Sequence, residues 1–500
     1  MKTTSKLLCL ILAIMVMLPM IASCDLFGKK DETPDNGGSS DGNGSGQVRD
    51  EVYNMTGLED KTFDGEQFVV GYSMGGKTIT EWIPKPINPK TDDIATSKVA
   101  EASYKRDQKF EALTGARLIY NGYGTNPNTD GDDSESKKFV DLHTGGMLKD
   151  YDLLMFGGST LGKLAQEKVL MDLNEYDNLI HHDQIYYTST LNQQLSVGGK
   201  QLATAGYYTT GNIRGTQVTC VNNTALTDQH GTDLKQELYN LALNKEWTFE
   251  KLFTYDGDFA TGTVYNNEND KYTLVISEFG CENLFYALGG TTIGKNSQDL
   301  PYVTVNSAEN QARLAAIRDK TSSKYVHIPA ASGSAAEFNR GQALFQIGMI
   351  GAYGAARQLL NVEECLLPVP MEKAGGEYKS FLPTWNSNVS GIPAQTANPE
   401  NAAYFYELYM ALSYNYIYPA YYENTMKTNY AQNETEAKIF DIVAKSICLE
   451  TAGLYNWIND KNTDIRQIVN NNFEVISTVT TLADSLDIKI DEFLAKYEIN

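Results

Sequence analysis

Histidine is scarce in this chain, with 5 in 500 residues beside 6 Cys and 4 Trp. His143, His181, His182, His230 and His327 are scattered and offer little material for a metal centre or an acid–base site. His181-His182 does not change this, since neighbours on a strand or helix point apart and no third ligand is spaced nearby. No metal or other cofactor is therefore expected. Positive charge is also in deficit, with 41 Lys+Arg against 63 Asp+Glu and a net charge of −22. A field of that sign repels phosphates, which counts against nucleic acid as a partner and disfavours a polyanionic ligand. The chain has no P-loop, no dinucleotide fingerprint and no repeat of 20–50 residues. Asp130-Gly131-Asp132-Asp133 is acid-rich but fails the EF-hand pattern, so it reads as a solvated loop. What is abundant is tyrosine, 31 residues in a chain that is 42% hydrophobic. That composition and length describe a globular body of two or three packing units rich in amphipathic aromatic faces.

Lys2 and Lys6 precede a twelve-residue apolar run, Leu7 to Leu18, too short to span a bilayer and suited to a signal h-region. The following Met20-Ile21-Ala22-Ser23-Cys24 resembles the lipobox of bacterial lipoproteins. The resemblance implies removal of residues 1–23 and acylation of Cys24, palmitate included, at the extracytoplasmic face of the cell membrane. Two or three acyl chains give stable anchoring where one would not. Residues 24–60 then form anchor and linker, and the Gly/Ser/Asp composition between Lys29 and Gln47 is that of a flexible tether. Cys220, Cys281, Cys365 and Cys448 remain, widely spaced and without a CxxC. Export permits disulfides, yet such cysteines read as small buried hydrophobes.

In the body, Gln67 to Ser73 reads as a strand ending at Gly75-Gly76, and a helix spans Asp93 to Leu113 with Gly115 as its C-cap. A second strand, Arg117 to Tyr120, ends in Asn121-Gly122-Tyr123-Gly124. A third, Tyr151 to Phe156, ends in Gly157-Gly158 and is followed by a helix with Leu161, Leu164, Ala165 and Val169 on one face, capped by Ser159 or Thr160. Strands alternating with helices predict a parallel α/β layer, whose ligand crevice lies beyond the carboxyl ends of the strands. Pro368 and Pro370 exclude an interior strand there. Asn398-Pro399-Glu400 opens a helix with Phe405, Leu408, Tyr409 and Leu412 as its apolar stripe.

Four patterns carry a family resemblance. They are Tyr151-Asp-Leu-Leu-Met-Phe-Gly-Gly158 with Leu170-Met-Asp-Leu173 behind it, Glu246-Trp-Thr-Phe-Glu-Lys-Leu252, Phe338-Asn-Arg-Gly-Gln-Ala-Leu-Phe345, and Ile392-Pro-Ala-Gln-Thr-Ala-Asn-Pro-Glu400. In this order, across residues 65–460 and behind a lipobox, they resemble the carbohydrate-type (family 1) extracellular solute-binding lipoproteins of bacterial ABC importers. The resemblance implies an α/β, two-lobe Venus-flytrap of the type II periplasmic-binding-protein kind, each lobe a mostly parallel sheet flanked by helices. Lobe 1 would comprise 61–210 and 367–416, and lobe 2 would comprise 211–366 and 417–500, with crossings near 206–216, 366–370 and 415–420. It also implies a monomeric, non-enzymatic receptor that closes on an oligosaccharide and docks on the permease subunits. The acidic insert near 125–136 and the tail past 465 depart from the compact members of that family.

Sugar sites need flat apolar faces and hydrogen-bonding groups at strand ends. Tyr72, Ser73, Gly158 and Ser159 qualify in the first lobe, with Trp82 in its first loop. Tyr207 and Tyr208 lie at the first crossing. Tyr353 follows the strand Leu344 to Ile350, where related proteins often stack an aromatic on the sugar, and Trp385 and Asn386 precede Asn388-Val-Ser-Gly391. Trp247 reads as structural, whereas Tyr455 and Trp457 stay open between packing and ligand contact. Two rival readings remain. Gly71-Tyr72-Ser73-Met74-Gly75 is a G-x-S-x-G after a strand, the elbow of a serine hydrolase, but no earlier strand supplies an oxyanion loop and no helix follows at once. A helical, SusD-like glycan-binding lipoprotein is the other, and it would lack the alternation of strand, glycine turn and helix.

Overall fold

The computed structural model describes residues 50–72, 98–122, 133–261, 270–329, 334–352, 363–422, 431, 433–458 and 463–499. Cys24, Ser73, Trp82 and Tyr353 lie outside them. In chain order the strands of the two main sheets are β1 Gln67–Tyr72, β2 Arg117–Gly122, β3 Leu153–Gly157, β4 Gln217–Asn222, β5 Tyr272–Ile276, β6 Val326–His327, β7 Ala343–Met349, β8 Glu364–Leu367 and β9 Asn388–Gly391. The helices used below are α1 Lys98–Thr114, α2 Asp133–Thr144, α3 Leu161–Gln166, α4 Ala308–Thr321, α5 Pro399–Tyr418, α6 Glu434–Lys445, α7 Thr463–Val469 and α8 Val475–Lys496.

The first sheet has the order β9-β3-β1-β2. The three early strands are parallel, as their alternation with helices requires, and β9 joins β3 antiparallel. The second sheet has the order β8-β4-β7-β5-β6. Here β5 pairs parallel with β6 and β7, while β4 runs antiparallel between β7 and β8. The protein is thus α/β with two open, mixed sheets. Every residue of β4, β5 and β8 is buried, and apart from Gln217, Asn222 and Glu364 these strands are apolar or β-branched, as strands covered on both faces are. The strand β8 stops at Leu367, immediately before Pro368.

The chain moves from the first sheet to the second between β3 and β4, and returns between β8 and β9. Helix α5 then packs on α1 behind the first sheet, and α6 packs on β8 of the second. Both sheets belong to one compact unit, Asp50–Asn500.

Local chemistry explains the boundaries. Helix α1 ends at Gly115, whose φ of 70° is open to glycine at little strain and whose N–H donates to Glu111 O at 2.9 Å. Helix α5 starts at Pro399 behind Asn398, but the Asn398 side chain makes no cap bond. The proline and the apolar face, including Phe405, Leu408, Tyr409 and Leu412, all buried, hold this helix instead. Cys220, Cys281, Cys365 and Cys448 are free thiols, and burial pushes each one up. Among the described residues no helix is long and apolar enough to cross a membrane.

Candidate functional site

The turn after β3 starts the site. Gly158 N–H donates to Ser387 O at 2.9 Å, and a Cβ on Gly158 would collide with Ser387 and Leu454. Glycine therefore lets the end of β3 approach the segment before β9. The chain then makes one tight turn, Gly158–Thr160, into α3. Thr160 stands at the N-cap without a side-chain cap bond. Leu161, Leu164, Ala165 and Val169 are fully buried, and this anchoring points Ser159 and Lys163 away from the core.

Ser159 and Lys163 face a cavity of about 1240 Å³. Helix α2 adds Ser136 and Lys137 beside them, and the opposite wall is α8, from which Ser477, Thr481 and Ser485 line the space. Trp457 borders the cavity but is only 4% exposed. Its ring stacks on Tyr455 with centroids 5.3 Å apart, and it meets Phe493 of α8 edge-on at 5.5 Å. Tyr455 is itself buried, and its hydroxyl donates to Leu195 O at 2.6 Å.

Helix α8 stands in place because it is amphipathic. Val475, Val479, Leu482, Leu486, Ile490 and Phe493 recur at three- and four-residue steps and are buried. Before its first turn, Glu474 pairs with Arg318 of α4 at 3.2 Å. At its other end, Tyr497 Oη donates to Ala165 O at 2.7 Å, and Lys496 Nζ donates to Gln166 O, both on α3. It therefore runs from α4 to α3, along one side of the cavity.

The cavity has the chemistry of a hydroxyl-rich, weakly charged site. Lys137 and Lys163 are each paired one turn along their own helix, to Asp141 and Glu167, at 2.6 Å. Lys163 holds the Glu167 carboxyl below its ordinary range. Asp464, also on the lining, is pushed up by burial. Lys489 and Asn456 add further polar groups, and serine, threonine and the exposed Phe473 ring supply most of the remaining polar and flat surface, which suits a polyhydroxylated solute.

The other expected site residues lie elsewhere. Tyr72 is half-buried at the end of β1, its ring laid over Gly122 of β2. Tyr207 packs edge-on against Tyr414 and Tyr418 at 5.3 and 4.6 Å, and those two rings stack on each other. Tyr208 is fully buried in the core beside the first sheet. Asn386 is buried and donates to Met349 Sδ at 2.7 Å, joining the segment before β9 to the end of β7. Trp385 lines a separate gap of about 20 Å³ with Glu282, Asn283 and Glu450. The structure thus brings Ser159 to the large cavity and packs Gly158 beside it, with Trp385 and Asn386 in the neighbouring segment.

Two further sequence readings concern structure only. Trp247 is fully buried, and its Nε1 donates to Pro368 O at 3.0 Å. His181 serves the buried Glu407, its backbone N–H donating to Oε1 at 3.2 Å and its Nδ1 lying 2.9 Å away. Tyr187 Oη donates to the same carboxylate at 2.7 Å, and Tyr186 Oη does so as well. Burial lowers His182 to about 4, so its ring is neutral at pH 7. Among the described residues no group of three His, Cys, Asp or Glu is placed to hold a metal.

Sequence reasoning missed α8 as a wall. The apolar period from Val475 to Phe493 was available as a helix signal, but nothing in it says which neighbour the polar face meets. In comparisons with known proteins, no family model matches the chain and no curated protein matches it.

Proposed function

We propose that the protein is a lipid-anchored extracytoplasmic receptor that captures a small solute, an oligosaccharide, in this cavity and passes it to an ABC permease. In this reading the two α/β bodies are the lobes of a Venus-flytrap, and the chain performs no chemistry on its ligand. The observation that carries the reading is the cavity itself. It lies just past the carboxyl end of β3, at a glycine turn, and carries hydroxyls from α2, the turn into α3 and α8, with the exposed Phe473 ring at its edge. In open α/β sheets that is where ligands bind. The arrangement supplies hydrogen-bonding groups for sugar hydroxyls and an apolar surface for ring faces. The lipobox-like Met20 to Cys24 and the tether support placement at a membrane surface.

Thermal unfolding in the presence of candidate solutes tests this. A ligand that binds only the folded state at 100 times its Kd adds about 2.7 kcal/mol, which is expected to raise Tm by a few degrees. A set of neutral oligosaccharides should contain members that do so, while peptides should not. A shift with peptides alone would overturn the carbohydrate assignment. Ester hydrolysis lost in Ser73→Ala would overturn the non-enzymatic one.

A further inference from the structure

Helix α8 offers a regular polar ridge to the cavity. Ser477, Thr481, Ser485 and Lys489 are four residues apart and all line the space. At a rise of about 1.5 Å per residue they stand about 6 Å apart and span about 18 Å. Thr481 Oγ1 donates to Ser477 O at 3.1 Å and retains its acceptor capacity. The ridge meets exposed aromatic surface at its start, where Phe473, 43% exposed, precedes Ser477 by one turn, while Trp457 and Phe493 beyond Lys489 are buried against each other. The cavity's volume of about 1240 Å³ exceeds the roughly 300–1,000 Å³ of an ordinary small-ligand pocket, so a single sugar ring would leave most of it to water.

We propose that this ridge is the specificity-determining wall for an elongated oligosaccharide of several rings lying along the α8 axis. Each turn of the helix presents one hydroxyl or ammonium to the glycan, and Phe473 offers a ring face at the start of the ridge. The inference rests on the solute-capture reading and goes beyond it by naming the wall, the residues and the shape of the ligand. A site that hydrogen-bonds hydroxyls along its length gains affinity with each added ring until the ridge is filled.

The test is calorimetric titration of the full chain with maltose to maltohexaose, cellobiose to cellohexaose and xylobiose to xylohexaose. In one series, Kd is expected to fall at least tenfold between two and four rings. The variant Ser477→Ala/Thr481→Ala/Ser485→Ala should lose at least tenfold on the longer glycans and flatten the length dependence. Its Tm should hold, because these are exposed helix positions where alanine is a favourable residue. Lys489→Gln should weaken only the longest members. Glycan binding without length dependence, or a triple variant that binds as wild type does, overturns this inference and leaves solute capture standing. A wild-type chain that binds no glycan of any length overturns both.

Discussion

Replacing Arg106 with methionine is expected to lower the unfolding free energy by about 3–5 kcal/mol, the usual result of removing one partner from a buried ion pair. Arg106 is fully buried in α1. Its Nε donates to Asp107 Oδ1 at 2.8 Å, Nη2 to Tyr120 Oη at 2.9 Å, and Nη1 to Ser413 Oγ at 3.2 Å. The guanidinium also lies over the Tyr409 ring, 4.2 Å from its centroid. These four contacts join α1, β2 and α5. Methionine fills similar space but provides no donor, so Asp107, already pushed up by burial, loses its counter-charge. Urea unfolding of Arg106→Met against wild type reads the effect directly, and a difference under 1 kcal/mol would contradict it.

A second large effect concerns pH. Glu282 is 3% exposed, its Oε2 accepts no hydrogen bond from a described residue, and burial pushes its carboxyl up to about 8. At pH 7 it is therefore protonated in the folded protein and ionised in the unfolded chain, where the ordinary value is 4.5. The unfolded state then binds fewer protons, so stability falls as pH rises from about 4.5 to 8 and levels off above that. The full contribution is present only below pH 4.5. A shift of this size corresponds nominally to about 5 kcal/mol, which relaxation and water penetration around the buried carboxyl reduce to about 3 kcal/mol across the window. Glu282→Gln keeps a neutral group of the same shape. Its stability advantage over wild type should grow by about 3 kcal/mol between pH 5 and 8.5. Glu450, also raised by burial, contributes a loss of the same sign in both proteins, so the difference isolates Glu282. An advantage that is constant across that range would show that Glu282 is not buried in its neutral form.

Much of the fold is legible in the sequence because local rules and tertiary packing agree there. The alternation from Gln67 to Val169 specifies three parallel strands, Gly115 marks a helix end by its positive φ, and Pro368 stops a strand. What the sequence does not reveal depends on long-range pairing. Nothing in Asn388-Val-Ser-Gly391 says that it will join β3 antiparallel, 231 residues after Gly157, its first partner in register. Of the residues singled out from sequence, Ser159, where a glycine turn follows a strand, lines the candidate site, while Trp457 borders it as a buried ring packed on Tyr455 and Phe493. Tyr207 and Tyr208 were equally plausible by composition, yet one ring packs on Tyr414 and Tyr418 and the other fills the core. A tyrosine's amphipathic side chain serves packing and recognition alike, so its count does not separate the two. The polar face of α8 was invisible as a site for the opposite reason, since serine, threonine and lysine on a helix read as a solvated surface until a second wall stands across from them.

The central claim, capture of a glycan between α3 and α8, is tested most directly by amide hydrogen exchange on the full chain with and without the tightest-binding oligosaccharide. Slowed exchange is expected in two separate stretches, 158–163 at the turn into α3 and 475–489 along α8, with Asn456 to Ile458 between them also slowed. Protection that leaves both stretches unchanged and falls instead around Tyr207 or Trp385 would contradict the claim.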